Sequence, residues 1–254
     1  MKRLFTTILL SFFCLGATFN SSTLNNSRIT GTKPLFMPLG DSITKGSLSG
    51  SVESLGYRGP IHTRMGTISF DFVGPYQNPA ADNVNDTDHA GVGGERSDEI
   101  EARTSAALIT YMTNPPDNSL VAVMAGTNDV SQSIATATIV DNVEDIVDLI
   151  VAHDVNIDIY VFLITPVDNA NDADTTTYNT ALKIMLQTYQ ASKSNLYIVD
   201  VNSTFKNDTH GLCSADWATN CIGADNVHPT VAGYSAISRQ IEDCISNKNN
   251  VNCF

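Results

Sequence analysis

Leu120-Val121-Ala122-Val123-Met124 is an unbroken apolar run, and two residues later the chain turns polar at Gly126-Thr127-Asn128-Asp129. A short run without alternation suits a strand buried on both faces. Downstream, Ile139, Val143, Ile146, Val147 and Ile150 recur at helical spacing, which predicts an amphipathic helix over Ile139–Ala152. A second apolar run, Ile159–Ile164, follows it. Strand, helix and strand in that order imply two parallel strands joined by a crossover helix.

The alternation continues on both sides. Leu35–Leu39, Phe70–Val73 and Leu196–Val201 read as further strands. Tyr57–Thr67, Ser97–Met112, Thr175–Ser192 and Val231–Ser246 read as helices. The pattern is α/β, a parallel sheet covered on both faces. No internal repeat, low-complexity tract or linker interrupts it, so residues 34–254 are expected to form one domain. The segment 202–230 reads as long and irregular, and loops of that length usually carry function.

The 254 residues include 27 acids and 14 bases, a net charge of −13. Lys2 and Arg3 are the only charges in the first 19 positions, and they precede an apolar stretch from Leu4 to Ala17. That is the pattern of a secretory signal peptide over 1–19, followed by a polar lead-in over 20–33. The stretch is shorter than the ~20 apolar residues of a membrane span. Without it, 27 acids face 12 bases, a charge of −15. Such a surplus argues against nucleic-acid binding and against a polybasic membrane surface. It also disfavours acidic polymers such as pectin, because like charges repel at low salt. Hydrophobic residues at 42% and charged residues at 16% are enough for a packed core. A monomer is the default expectation.

Secretion sets the reading of the cysteines. Cys14 would leave with the leader, and Cys213, Cys221, Cys244 and Cys253 remain. Four cysteines allow three pairings. The local pairing, Cys213–Cys221 and Cys244–Cys253, closes two short loops that contain turn-forming residues. A zinc site is the rival, but there is no CxxC pair. Asn20, Asn25, Asn85, Asn202 and Asn207 each begin a glycosylation sequon.

Three polar clusters fall at element ends. Pro38-Leu39-Gly40-Asp41-Ser42-Ile43-Thr44 follows a strand, and its glycine allows a sharp turn that would expose the Ser42 hydroxyl. Taken alone, Asp41 and Ser42 read as helix N-caps. Gly126-Thr127-Asn128-Asp129 also follows a strand, where an Asn can present its amide to an oxyanion. Taken alone it reads as an Asx-turn. Asp225-Asn226-Val227-His228-Pro229 precedes the last helix, with Pro229 suited to its first turn. Asp225 is close enough to bond one imidazole nitrogen and leave the other as a base. A serine nucleophile needs a base, the base an orienting carboxylate, and the tetrahedral intermediate preorganised donors. The three clusters together supply all of them. No G-x-S-x-G elbow is present, so a lipase-type α/β-hydrolase is not indicated.

This ordered set resembles the blocks of the SGNH (GDSL-type) hydrolase superfamily, over nearly the whole chain after the leader. Within it, Pro38 to Thr44, Gly56-Tyr57-Arg58, Asp71-Phe72-Val73-Gly74 and His89-x-Gly91-x-x-Gly94 with Asp98-x-Ile100 are similar to carbohydrate esterase family 3, the acetyl xylan esterase-like branch. The resemblance implies a three-layer α/β/α flavodoxin-like fold with a five-stranded parallel sheet. It implies Ser42 as nucleophile, His228 as general base and Asp225 as its orienting group. The oxyanion hole would be Ser42 N–H, Gly94 N–H and the Asn128 side chain. Lys45 and Glu95 depart from the family pattern and flank the expected mouth, as possible substrate contacts. His89 and Asp129 are expected as loop scaffolding and Arg58 as a structural ion-pair donor. Trp217 reads as loop core, or as a platform for a sugar ring. No cofactor or metal is required. The expected activity is removal of acetyl groups from plant cell-wall polysaccharide, acetylated xylan above all. Its rivals are a broad acyl-ester or lipid esterase and a catalytically inactive carbohydrate-binding protein.

Overall fold

The computed structural model describes residues 33–65, 70–78, 86–213, 216–247 and 253. The expected leader, the lead-in up to residue 32 and the sequons at Asn20, Asn25 and Asn85 lie outside these residues. Lys33–Phe254 forms one compact unit.

The sheet is built around β1 (Leu35–Gly40), whose last five residues are all buried. After it come α1 (Ser42–Lys45), a small hairpin of β2 (Ser47–Leu48) and β3 (Val52–Glu53), and α2 (Arg58–Met65). Then follow β4 (Asp71–Phe72), β5 (Tyr76–Gln77), β6 (Asp88–Gly91), α3 (Ser97–Tyr111) and β7 (Leu120–Met124). The second half is α4 (Thr127–Ser131), α5 (Thr136–His153), β8 (Asp158–Leu163), α6 (Asp172–Gln190), β9 (Leu196–Asp200), α7 (Val201–Asn207), α8 (Trp217–Cys221) and α9 (Val231–Ser246).

In space the strands run β5-β6-β1-β7-β8-β9, with β4 also on β1. All pairs are parallel except β5 with β6. The five parallel positions expected from sequence are present, but the position beside β1 is shared. The run Phe70–Val73 supplies only β4, which pairs with the start of β1 at Leu35 and Phe36. The end of β1 pairs instead with β6, at Leu39↔Ala90 and Gly40↔Gly91. Asp-His-Ala-Gly is no apolar run, and its strand conformation comes from the neighbours it pairs with. With β5 the sheet reaches seven strands.

All five residues of β7 are buried, as an apolar run without alternation requires. On one face α3 packs on α5 and α5 on α6; elsewhere α9 packs on α2, α7 and α8. The stripe Ile139, Val143, Ile146, Val147 and Ile150 of α5 is at most 1% exposed. Each such side chain contributes about 1.5–3 kcal/mol by leaving water. The segment 202–230 is less irregular than its sequence reads. The Asp200 carboxylate caps α7 by accepting from Ser203 N–H, and Asp216 caps α8 by accepting from Thr219 N–H. Both helices are too short to show a period. Cys213 pairs with Cys221 and Cys244 with Cys253, the local arrangement. Among the described residues no helix is long and apolar enough to cross a membrane.

Chain order reverses at β1: the chain runs outward to β6 on one side, then crosses to β7 on the other. Loops at the carboxyl ends of strands diverge at such a switch point and open a crevice.

Candidate active site

Gly40 ends β1 so close to β7 that a Cβ there would lie 2.3 Å from the Met124 carbonyl oxygen. The chain turns at once. Asp41 caps α1 by accepting from Ile43 N–H at 2.9 Å, and Ser42 is the first helical residue. The N-cap reading therefore holds for Asp41, while Ser42 begins the helix as a half-buried residue that lines the cleft. As the first residue of a helix, Ser42 has no intrahelical acceptor for its N–H.

At the other end of the chain, the Asp225 carboxylate accepts from Val227 N–H at 3.1 Å and His228 N–H at 3.0 Å. Asn226 takes a left-handed conformation, φ 64°, to make that turn. The other Asp225 oxygen lies 2.8 Å from His228 Nδ1, and His228 Nε2 lies 2.8 Å from Ser42 Oγ. Burial pushes the Asp225 carboxyl up, but the His228 and Val227 hydrogen bonds outweigh it and hold the group below its usual range. Pro229 is not in the first turn of the helix. Thr230 is the cap, accepting from Gly233 N–H, and α9 begins at Val231. Thr230 N–H donates to the Cys221 carbonyl, which ties this loop to the first disulfide.

Gly94 follows β6 with φ 85°, a conformation that favours glycine. Asn128 is the second residue of α4, directly after β7. One N–H of its side-chain amide donates to the Glu95 carbonyl at 2.8 Å, leaving the second amide hydrogen to point elsewhere. Ser42, Gly94 and Asn128 thus come from the ends of β1, β6 and β7, the three strands at the switch point. They line one cleft of about 520 Å³ with Lys45, Gly93, Asp225 and His228, and the hairpin adds Ser47, Leu48, Gly50 and Glu53.

Of the other residues singled out, His89 and Asp129 are scaffolding as expected. The buried His89 Nδ1 accepts from Gly91 N–H at 3.1 Å. Burial, then the charges of Arg58 and Lys45, push its pKa down to about 3, so the ring is neutral. The Asp129 carboxylate accepts from Ser97 N–H and Oγ, at 2.9 and 2.7 Å, and joins α4 to the start of α3. Arg58 is fully buried but forms no ion pair among the described residues. Its guanidinium donates to the Thr44 and Lys45 carbonyls and to Asn78 Oδ1.

Two of the possible substrate contacts do not line the cleft. The Glu95 carboxylate is held at 2.7 Å by Arg103, whose Nη2 also donates to the Gly40 carbonyl. Glu95 does not line the cleft; a cationic neighbour nearly two helical turns into α3 draws it inward. Trp217 packs against the core from α8, with Lys206 over its ring at 5.8 Å. It is loop core, not a platform at the cleft. Lys45 does line the cleft, and its Nζ lies 2.5 Å from Glu53 Oε1. Sequence reasoning missed Glu53, and no motif marks it.

Asp41, behind Ser42, is fully buried. Burial raises its pKa to about 6, against the hydrogen bond from Ile43 N–H and the nearby His228. Among the described residues, no group of three or more His, Cys, Asp or Glu side chains is arranged to hold a metal ion. Chemically, a hydroxyl bonded to one imidazole nitrogen, with a carboxylate on the other, can lose its proton as it attacks a carbonyl carbon.

Residues 36–241 match the family model of GDSL-like lipases and acylhydrolases. The chain belongs to that family. It is a carboxylic ester hydrolase. Several solved structures share the fold of this acylhydrolase. An acetyl esterase mutant with acetate ion is 23% identical, with a TM-score of 0.67 over 85% of this chain and 100% of that one. A family 3 carbohydrate esterase from Clostridium thermocellum is 22% identical, with a TM-score of 0.66 over 86% and 100% of the two chains. One from Talaromyces cellulolyticus is 24% identical, with a TM-score of 0.66 over 84% and 99%. No curated protein sequence matches this acylhydrolase.

Proposed function

We propose that the protein is a secreted serine esterase that removes acetyl groups from plant cell-wall polysaccharide, with acetylated xylan as its substrate. The observation that carries this reading is the pair of 2.8 Å contacts linking Ser42 to His228 and His228 to Asp225. His228 takes the proton of Ser42 as Oγ attacks the ester carbonyl. Asp225 fixes the imidazole tautomer and stabilises the imidazolium that forms. The oxyanion is received by the N–H groups of Ser42 and Gly94 and by the free amide hydrogen of Asn128. The sugar alkoxide leaves with the proton from His228. Water, deprotonated by the same nitrogen, then releases acetate and restores Ser42.

Leu48 is the only apolar side chain among the described residues that line the cleft. A long acyl chain needs an extended apolar wall, so this lining favours a short acyl group on a polar alcohol. Fold similarity to family 3 carbohydrate esterases agrees with that substrate class. Secretion rests on the amino-terminal pattern and on the two disulfides, which persist in an oxidising compartment. Of the two sequons among the described residues, Asn207, exposed at the end of α7, is the one open to glycosylation, whereas the half-buried Asn202 amide donates to the Ile164 carbonyl. The test is acetate release from acetylated xylan, beside aryl esters from acetate to octanoate. Xylan deacetylation with a steep fall beyond short aryl esters is expected. Preference for octanoate, with xylan untouched, would replace this reading with a broad acyl-ester hydrolase.

A further inference from the structure

The β2–β3 hairpin forms the wall of the cleft nearest the His228 loop. A Cβ on Gly223 would lie 2.8 Å from Ser49 Cβ, and Gly223 N–H donates to the His228 carbonyl. The Tyr234 hydroxyl, from the helix after His228, donates to the Ser47 carbonyl. The hairpin therefore sits on the side from which His228 hands its proton to the departing alcohol. Gly94 and Asn128, which would face the carbonyl oxygen, come from other strand ends.

On that wall Lys45 Nζ and Glu53 Oε1 stand 2.5 Å apart, with side chains 32% and 40% exposed. An ion pair this open to solvent contributes only about 0–1 kcal/mol to stability, so the fold does not depend on it. Lys45 brings three N–H donors, and the Glu53 carboxylate has lone pairs beyond those Lys45 takes. Side by side they match adjacent hydroxyls of a sugar, one donating and one accepting, with no net charge to repel or attract the ring. Glu53 also lines a second cavity, of about 390 Å³, whose walls include Leu55, Pro60, Thr63 and Val231. That volume is in the small-ligand range, ~300–1,000 Å³. The two cavities meet at Glu53.

Resting on the esterase reading above, the geometry points to Lys45 and Glu53 as the subsite for the sugar that carries the acetyl group. The cavity beyond Glu53 receives the neighbouring sugar of the same chain. The enzyme is thus built to recognise its leaving group, and to recognise it as part of an oligosaccharide. Lys45, a departure from the family pattern, and the unmarked Glu53 are the specificity-determining pair of this chain.

The experiment compares kcat/KM on p-nitrophenyl acetate, a mono-acetylated xyloside and acetylated xylotetraose, for wild type, Glu53→Gln and Thr63→Trp. Thr63 lines that cavity from the exposed side of α2 and its Oγ1 donates to the Gly59 carbonyl, so an indole there narrows the cavity without entering the core. Glu53→Gln is expected to lower the ratio of xylotetraose to aryl-acetate kcat/KM by about tenfold, the worth of one charge-assisted hydrogen bond. The loss should appear in KM rather than kcat. Thr63→Trp is expected to lower the ratio of xylotetraose to monoxyloside. Unchanged ratios in both variants, with wild type active on xylotetraose, would overturn the subsite while leaving the saccharide esterase standing. Wild type that cleaves aryl acetate but neither saccharide would overturn the substrate reading itself, and the subsite with it.

Discussion

Asn128 shows how much one side chain is asked to do. Its amide is held by the Glu95 carbonyl at 2.8 Å, so its remaining hydrogen is aimed before any substrate arrives. Preorganised donors of that kind stabilise the transition state without reorganisation. Asn128→Ala is expected to lower kcat on aryl acetate by about 10²–10³ with little change in KM; a fall in KM-dependent binding alone would assign Asn128 to substrate positioning. Asp41, one residue before Ser42, is a cost the site carries. Its carboxyl has a pKa near 6 when folded and 3.8 when free, so between those values the folded protein binds the extra proton. Stability conferred by Asp41 therefore falls as pH rises through that window, and the full penalty persists above pH 6. The difference in unfolding free energy between Asp41→Asn and wild type should grow by about 3 kcal/mol from pH 3.5 to 7.5. Denaturant titrations that give a constant difference would show that Asp41 is charged at little expense.

At the scale of elements, legibility followed burial. The runs Leu120–Met124 and Leu35–Leu39 and the stripe of α5 announce themselves because each is dictated by its own residues. β6 does not, because Asp88–Gly91 is a strand only through its partners, β5 at Asp88 and His89 and β1 at Ala90 and Gly91. The short helices α1, α4, α7 and α8 escape periodicity, and α1, α7 and α8 are set by caps at Asp41, Asp200 and Asp216. Ser42, His228, Asp225 and Asn128 were legible because their chemistry needs those residue types at element ends; Gly94 was legible only through the family resemblance. Glu95 is turned from the cleft because Arg103 holds its carboxylate, a competitor that leaves no motif, whereas Trp217 takes the loop-core place its sequence allowed. The turn from β7 into α4 is a tight joint. Gly126 has φ 117°, and a Cβ there would lie 2.6 Å from a ring carbon of Tyr178, whose hydroxyl donates to the Ala125 carbonyl. Gly126→Ala is expected to cost about 2–5 kcal/mol, from left-handed strain and overpacking together. A melting temperature equal to wild type would mean that Tyr178 moves aside freely.

At the scale of the whole molecule, the sheet's single switch point gathers residues 42, 94, 128 and 228 from across the chain, and two local disulfides fasten the last part of it. Acid stability is a property of this whole assembly, and His89 is a principal contributor. Free histidine protonates near 6.5, while the folded ring resists until about pH 3. Below 6.5 the unfolded chain takes up a proton that the folded one refuses, so stability is lost as pH falls through that window. His89→Gln should remove about 3 kcal/mol of the loss between pH 7.5 and 4.5; an unaltered acid limb would place the sensitivity elsewhere. The central claim is that Ser42 attacks the ester. It is tested most directly by the initial rate of acetate release from acetylated xylan by wild type and Ser42→Ala under identical conditions. A fall of about 10⁴-fold or more is the expected result. A variant within tenfold of wild type would contradict the account.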